Sequence, residues 1–94
     1  MSLAKKLKSA RRDRGDILEK VAKAVGISTT YLNDLENGIV FRPKIEFISS
    51  LADYYGINKD ELILASGKIP QDVYYKIIKY PELLEVIRGY NLWN

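Results

Sequence analysis

Thr29, Thr30, Asn33, Asp34 and Asn37 recur at spacings that put all five within one arc of a helix, at about 100° per residue, while Tyr31, Leu32 and Leu35 point the other way. The polar five have the chemistry to read base edges. Asn can bond adenine bidentately, Thr bonds a base or sets its methyl against that of thymine, and Asp accepts from the cytosine amino group. A carboxylate close to phosphates is repelled unless it meets such an amino group or a neighbouring cation, which restricts the poses open to Asp34. An α-helix fits the major groove of duplex DNA, and its N-terminal end, led here by Thr29 and Thr30, is expected to enter first. The same residues would also suit the solvated side of an ordinary helix, so the flanking elements carry the decision.

Those elements favour the first reading. Val21, Ala22 and Val25 form the apolar stripe of a preceding helix that closes at Gly26, and Ser28 caps the polar one, which stops at Gly38 before the basic loop Arg42-Pro43. Two helices meeting at a short glycine turn make the helix-turn-helix signature. Ahead of them, Leu3, Leu7 and Ala10 lie among Lys5, Lys6, Lys8, Arg12 and Arg14, so a first helix with a cationic face should run from residue 3 to Arg14 and end at Gly15. Asp16 followed by Glu19 has capping-box spacing at the start of helix two. Helix four should begin near Lys44, after Pro43, and end at Gly56 with Ile45, Ile48, Leu51, Ala52 and Tyr55 inward. Asn58 and Glu61 open a short helix five through Leu62, Ile63 and Leu64, closed by Ser66-Gly67. Pro70 can begin helix six and Pro81 helix seven. No stretch alternates like a strand, and the fold class is all-α.

Composition narrows the function classes. The chain of 94 residues is one domain by length and has 47% hydrophobic residues, enough for one core. It has neither cysteine nor histidine, which removes disulfides, metal sites built on those side chains and catalysis that uses them. Twelve carboxylates without a glycine-rich phosphate loop form no catalytic constellation, so we expect no enzyme and no cofactor. The N-terminus carries no apolar stretch of signal-peptide length and no run is long enough for a membrane span, so the expected location is cytoplasmic. Net charge is only +3, but residues 1 to 44 hold ten Lys or Arg against five acids, and residues 45 to 94 hold five against seven. The basic part suits a polyanion such as DNA, and the acidic part something else.

In Leu35-Glu36-Asn37-Gly38, Arg42-Pro43 and Val25-Gly26, over about residues 3 to 65, the chain resembles the phage Cro and repressor type of helix-turn-helix regulators, often called the Xre family. The resemblance implies a five-helix, lambda-repressor-like DNA-binding domain over residues 1–66 that acts as a homodimer on a near-palindromic operator. It assigns base reading to Thr29, Thr30, Asn33 and Asp34, and phosphate or minor-groove contact to Asn37, Arg42 and Lys44. It further implies that Arg11 and Glu36 form a structural salt bridge tying helix one to the end of helix three. Where the family places a phosphate-bracing Gln, this chain has Leu18, preceded by Asp16 and Ile17, although backbone N–H groups there could still bind a phosphate. The loop Ile39-Val40-Phe41 is apolar where many relatives are polar, and either folds over the core or meets a dimer partner.

Residues 67–94 form a helical extension. Six of the seven tyrosines and the single Trp, Trp93, follow residue 53, and such aromatic enrichment is typical of interface cores. The extension either caps the chain's own core or pairs with a second copy. We expect a dimer interface through Val73, Tyr74, Ile77, Leu83, Leu84, Ile87 and Tyr90, because half-sites one turn apart require two recognition helices at fixed spacing. The expected function is sequence-specific binding of double-stranded DNA by a homodimeric transcriptional repressor. The alternative is an antitoxin-type interaction protein whose C-terminal helices hold a protein partner and whose DNA binding serves autoregulation.

Overall fold

Side chains that compete with the backbone for hydrogen bonds set the helix starts, and glycines set several of the ends. In the computed structural model, which describes residues 2–40 and 42–90, Ser2, Ser28 and Asn58 each accept from the backbone N–H three residues on, at 3.3, 3.0 and 3.0 Å. The helices are α1 (Leu3–Arg14), α2 (Leu18–Val25), α3 (Thr29–Glu36), α4 (Ile45–Tyr55), α5 (Lys59–Ala65), α6 (Gln71–Lys79) and α7 (Leu83–Gly89), with no strand among the described residues. Gly26 ends α2 at φ +81°, where a side chain would strain the backbone, and its N–H returns to the carbonyl of Ala22. Only three residues separate α2 from α3. The all-α expectation and the order of helices therefore hold.

The apolar stripes of five helices meet in one core. Leu7, Val21, Ala22, Leu32, Leu35, Ile48, Leu51, Ala52, Leu62 and Ile63 are buried, with Leu3, Leu18, Val25, Ile27, Tyr31, Val40 and Ile45 packed around them. The principal helix contacts are α1 and α2 on α3, α2 on α4, and α4 on α5. Val40 thus folds over the core, as one reading of its loop required, while Ile39 is exposed and Phe41 lies outside the described residues.

One expectation is corrected here. Asp16 does not cap α2: Ile17 occupies the N-cap position and makes no side-chain cap bond. The Asp16 carboxylate turns inward, where it accepts from the Tyr54 hydroxyl at 2.7 Å, Arg14 Nε at 3.0 Å and Lys20 Nζ at 3.1 Å. The Arg14 guanidinium also lies 4.4 Å from the centre of the Tyr54 ring, a cation–π contact. A capping box would have satisfied one or two backbone donors. The observed network instead joins the end of α1, the start of α2 and the end of α4 around one buried anion.

The last two helices stand apart from this core. No residue of α6 or α7 is buried, and the Cα radius of gyration of 15.4 Å exceeds the roughly 12 Å of a compact chain this long. Val73, Tyr74, Leu84, Ile87 and Tyr90 are exposed, Tyr90 to 71%, while Ile77 and Leu83 are half-buried. The chain's own core leaves the first five of these side chains uncovered. Trp93 lies outside the described residues.

Hydrogen bonds from Tyr54, Arg14 and Lys20 hold the Asp16 carboxyl well below its ordinary value of 3.8. A depressed carboxyl pKa contributes stability that is complete above the unfolded-state value and disappears as pH falls through the folded one. Asp16→Asn should therefore be less stable than the parent at neutral pH, and denaturant melts should show the gap narrowing once pH drops below about 4.

Candidate nucleic-acid interface

Helix α3 is short, and what holds it decides what it can present. At its start the Ser28 hydroxyl accepts from the Tyr31 N–H at 3.0 Å. At its end Gly38 adopts φ +71°, which lets the Gly38 N–H reach the Leu35 carbonyl at 3.2 Å and the Ile39 N–H reach that of Asp34 at 2.9 Å. A Cβ on Gly38 would also lie 3.8 Å from that of Ala4. The αL turn sends the chain sharply away and leaves the outer face of α3 uncovered.

The inner face is anchored by packing and by charge. Leu32 and Leu35 are fully or almost fully buried, and Tyr31 meets Phe47 of α4 edge to face, with centroids 5.4 Å apart. Glu36, 6% exposed, receives Arg11 of α1 through Nε to Oε2 at 2.8 Å and Nη2 to Oε1 at 2.9 Å, the fork geometry that fixes orientation as well as distance. Arg11 Nη1 also donates to the Asp16 carbonyl at 3.1 Å, so one guanidinium ties α3 to the turn before α2. The hydrogen bond with Glu36 raises the Arg11 pKa. Tyr55 lies in the field of this pair, and burial raises its phenol pKa and keeps it neutral.

On this seated helix Thr30, Asn33 and Asn37 are exposed, while Thr29 and Asp34 are half-buried. Their side chains make no ion pair or hydrogen bond with another described side chain. The structure thus brings the polar arc together on one open face. The loop that follows is held by Pro43, which is buried, and it places Arg42 at φ +58°, the only non-glycine residue with positive φ among the described residues. Arg42 lines the cleft between the start of α1 and the end of α5, with Leu3, Val40 and Ala65. Lys44 is the N-cap residue of α4, exposed, with its ammonium 5.9 Å from the Phe47 ring centre.

At the position of the missing Gln, Leu18 packs on the core and Ile17 is exposed, so no side-chain amide is available there. Phe47, which braces α3 from α4, was not singled out in the sequence. Its partner lies sixteen positions away and no local pattern pairs them. Among the described residues no group of carboxylates is arranged to hold a metal ion, and no helix is long and apolar enough to cross a membrane.

Comparison with known proteins agrees with this geometry. A family model described as helix-turn-helix matches residues 7–62. The chain is 41% identical over 63 residues to the HTH-type transcriptional regulator DdrOP3 of Deinococcus deserti, a match covering 67% of this chain and 48% of that protein. It therefore spans about half the length of this curated relative. A solved structure of a SinR protein/SinI protein complex contains a chain of similar fold, with a TM-score of 0.60 and 14% identity over 89% of this chain and 98% of that one.

Removing one partner of a buried, bidentate pair leaves the other charge without compensation, at a cost of about 3–5 kcal/mol. Arg11→Met should accordingly lower the melting temperature by well over 10 °C, at roughly 4–8 °C per kcal/mol for a domain of this size, read by thermal circular dichroism. A melting temperature equal to the parent's would mean that the pair does not seat α3.

Proposed function

The chain belongs to the Xre family of helix-turn-helix regulators, and on that premise we propose that it binds double-stranded DNA sequence-specifically, as a homodimer that represses transcription by covering a promoter. The observation that carries this reading is the open polar arc of α3 on a helix tethered at both ends. A rigidly held helix loses little entropy on entering a groove, so its contacts translate into discrimination.

The division of labour follows from chemistry. Thr29, Thr30, Asn33 and Asp34 read bases, while Asn37, Arg42, Lys44 and the backbone N–H groups at the start of α2 meet phosphates. Most of the affinity then comes from the cations and is salt-dependent. Homodimerisation runs through the apolar side chains of α6 and α7, Val73, Tyr74, Ile77, Leu83, Leu84, Ile87 and Tyr90, which would set the two copies of α3 about 34 Å apart.

A second reading is favoured by the same exposed face together with the solved SinR/SinI complex of similar fold, which pairs two different proteins. On that reading α6 and α7 hold a separate protein partner and DNA binding serves autoregulation. Sedimentation distinguishes the two. The pure chain should run as a dimer, and Ile87→Asp, at a site already 60% exposed, should run as a folded monomer. A parent that is monomeric at every concentration and co-purifies with a stoichiometric partner supports the second reading.

Selection from a random duplex pool should recover a near-palindromic sequence, and failure to enrich any sequence would overturn the proposal. On the recovered site, Thr30→Ala and Asn33→Ala should change base preference, by about 1–3 kcal/mol at the contacted pair, with little change in salt slope. Arg42→Gln should weaken all duplexes nearly alike and reduce the slope by about one.

A further inference from the structure

The start of α4 and the start of α6 border one open cleft, lined by Lys44, Ile45, Glu46 and Phe47 on one wall and by Lys68, Ile69, Gln71 and Tyr74 on the other. Lys44 and Lys68 thus come from opposite sides of the junction between the five-helix core and its extension. Neither forms an ion pair among the described residues, although Glu46 lines the same cleft and other surface lysines do find carboxylates, Lys6 with Glu61 at 2.6 Å and Lys59 with Asp53 at 3.1 Å. The Gln71 amide is engaged with the Tyr75 hydroxyl at 3.1 Å. Two ammonium groups against the single Glu46 carboxylate leave the lining of this cleft with a net positive charge.

Its position relative to α3 is fixed by contact. Phe47 lines the cleft and at the same time packs edge to face on Tyr31, whose own helix carries the polar arc. Lys44 lies 5.9 Å from that same Phe47 ring. Lys68 also lines the neighbouring cleft with Leu35 and Gly38 at the end of α3 and with Arg42 and Pro43 of the loop, so both lysines lie next to elements that adjoin α3.

We propose that Lys68, acting with Lys44 across this cleft, binds the sugar–phosphate backbone of the same duplex that α3 reads, so that the junction with the C-terminal extension is part of the DNA-binding surface. The proposal rests on the reading of α3 as a DNA-contacting helix and deepens it. A phosphodiester fits because its charge complements both ammonium groups and because Lys, a compact point charge, donates to phosphate oxygens in several directions. Such contacts carry no sequence information, and they add affinity through counterion release.

The test is the salt dependence of binding by the 94-residue chain to the selected duplex. Each phosphate contact contributes about 0.9 to the slope of log K against log salt, so Lys68→Gln should make the slope shallower by about one and Lys44→Gln/Lys68→Gln by about two, with the preferred sequence unchanged. Lys76→Gln, on α6 outside the cleft, should leave the slope as in the parent. Sedimentation of each variant should match the parent.

An unchanged slope in Lys68→Gln, while the parent still selects and binds its site, overturns this inference and leaves the α3 reading intact. So does an equal loss in Lys76→Gln, which would mark a general effect of net charge, or a loss of dimer in Lys68→Gln, which would place the lysine in assembly. A parent that binds no duplex overturns the α3 reading itself. If inorganic phosphate at millimolar concentration protects the parent thermally but duplex does not, the cleft is a small-anion site and the proposal also fails.

Discussion

The bidentate contact between Arg11 and Glu36 is the constraint on which the arrangement of α1, α2 and α3 depends. Glu36 is the last residue of α3 and almost wholly buried, so its charge is tolerable only because a guanidinium meets both oxygens. The same guanidinium donates to the Asp16 carbonyl, which fixes the turn before α2. A buried ion pair adds little net stability over a well-packed apolar pair of the same volume, and what it supplies is geometry. Sliding or rotating α3 by a fraction of a turn would break two hydrogen bonds and strand a carboxylate, whereas a purely apolar seat would allow several registers at similar energy. A helix held in one register presents its polar arc in one orientation, and that is what this seat supplies.

Around Asp16 the same logic recurs with different partners. The carboxylate gathers a phenol, a guanidinium and an ammonium from three elements, and the Arg14–Tyr54 stacking closes the ring of contacts. Both buried anions thus lie at helix junctions rather than within the apolar centre formed by Leu7, Leu32, Ile48, Leu51 and Leu62. The core supplies the driving force by excluding water, and the polar junctions select among the packings that would exclude it about as well.

Much of this was legible in the sequence, and the limits have physical causes. The helices followed from caps, glycines and the spacing of apolar residues, which are local signals, and Gly26 and Gly38 take the left-handed conformation that ends a helix. The polar arc of α3 was legible because exposure and periodicity coincide there. The Arg11–Glu36 pair came only with the family resemblance, since nothing local couples residues 25 positions apart. Asp16 misled because its spacing to Glu19 satisfies the capping rule, while the stronger partner, Tyr54, lies 38 positions away. In α6 and α7 the apolar pattern shows that a face wants cover, but periodicity names no partner, and so the sequence left two placements open.

Charge allocation links these observations to the interface. Of the acids in residues 1–44, Asp16 and Glu36 are buried against cations, while Asp13, Glu19 and Asp34 remain at or near the surface. Arg11, Arg14, Lys20 and Lys6 are committed to internal pairs, whereas Lys5, Lys8, Arg12, Lys23 and Lys44 form no ion pair among the described residues. The cations that shape the fold and those available to a polyanion are thus largely different residues. Salt should therefore weaken a complex with DNA steeply while leaving the shielded Arg11–Glu36 contact much less affected, because screening acts on exposed charges and far less on buried ones. Because the Arg11–Glu36 contact is shielded, a bound polyanion could be released by salt without unseating α3.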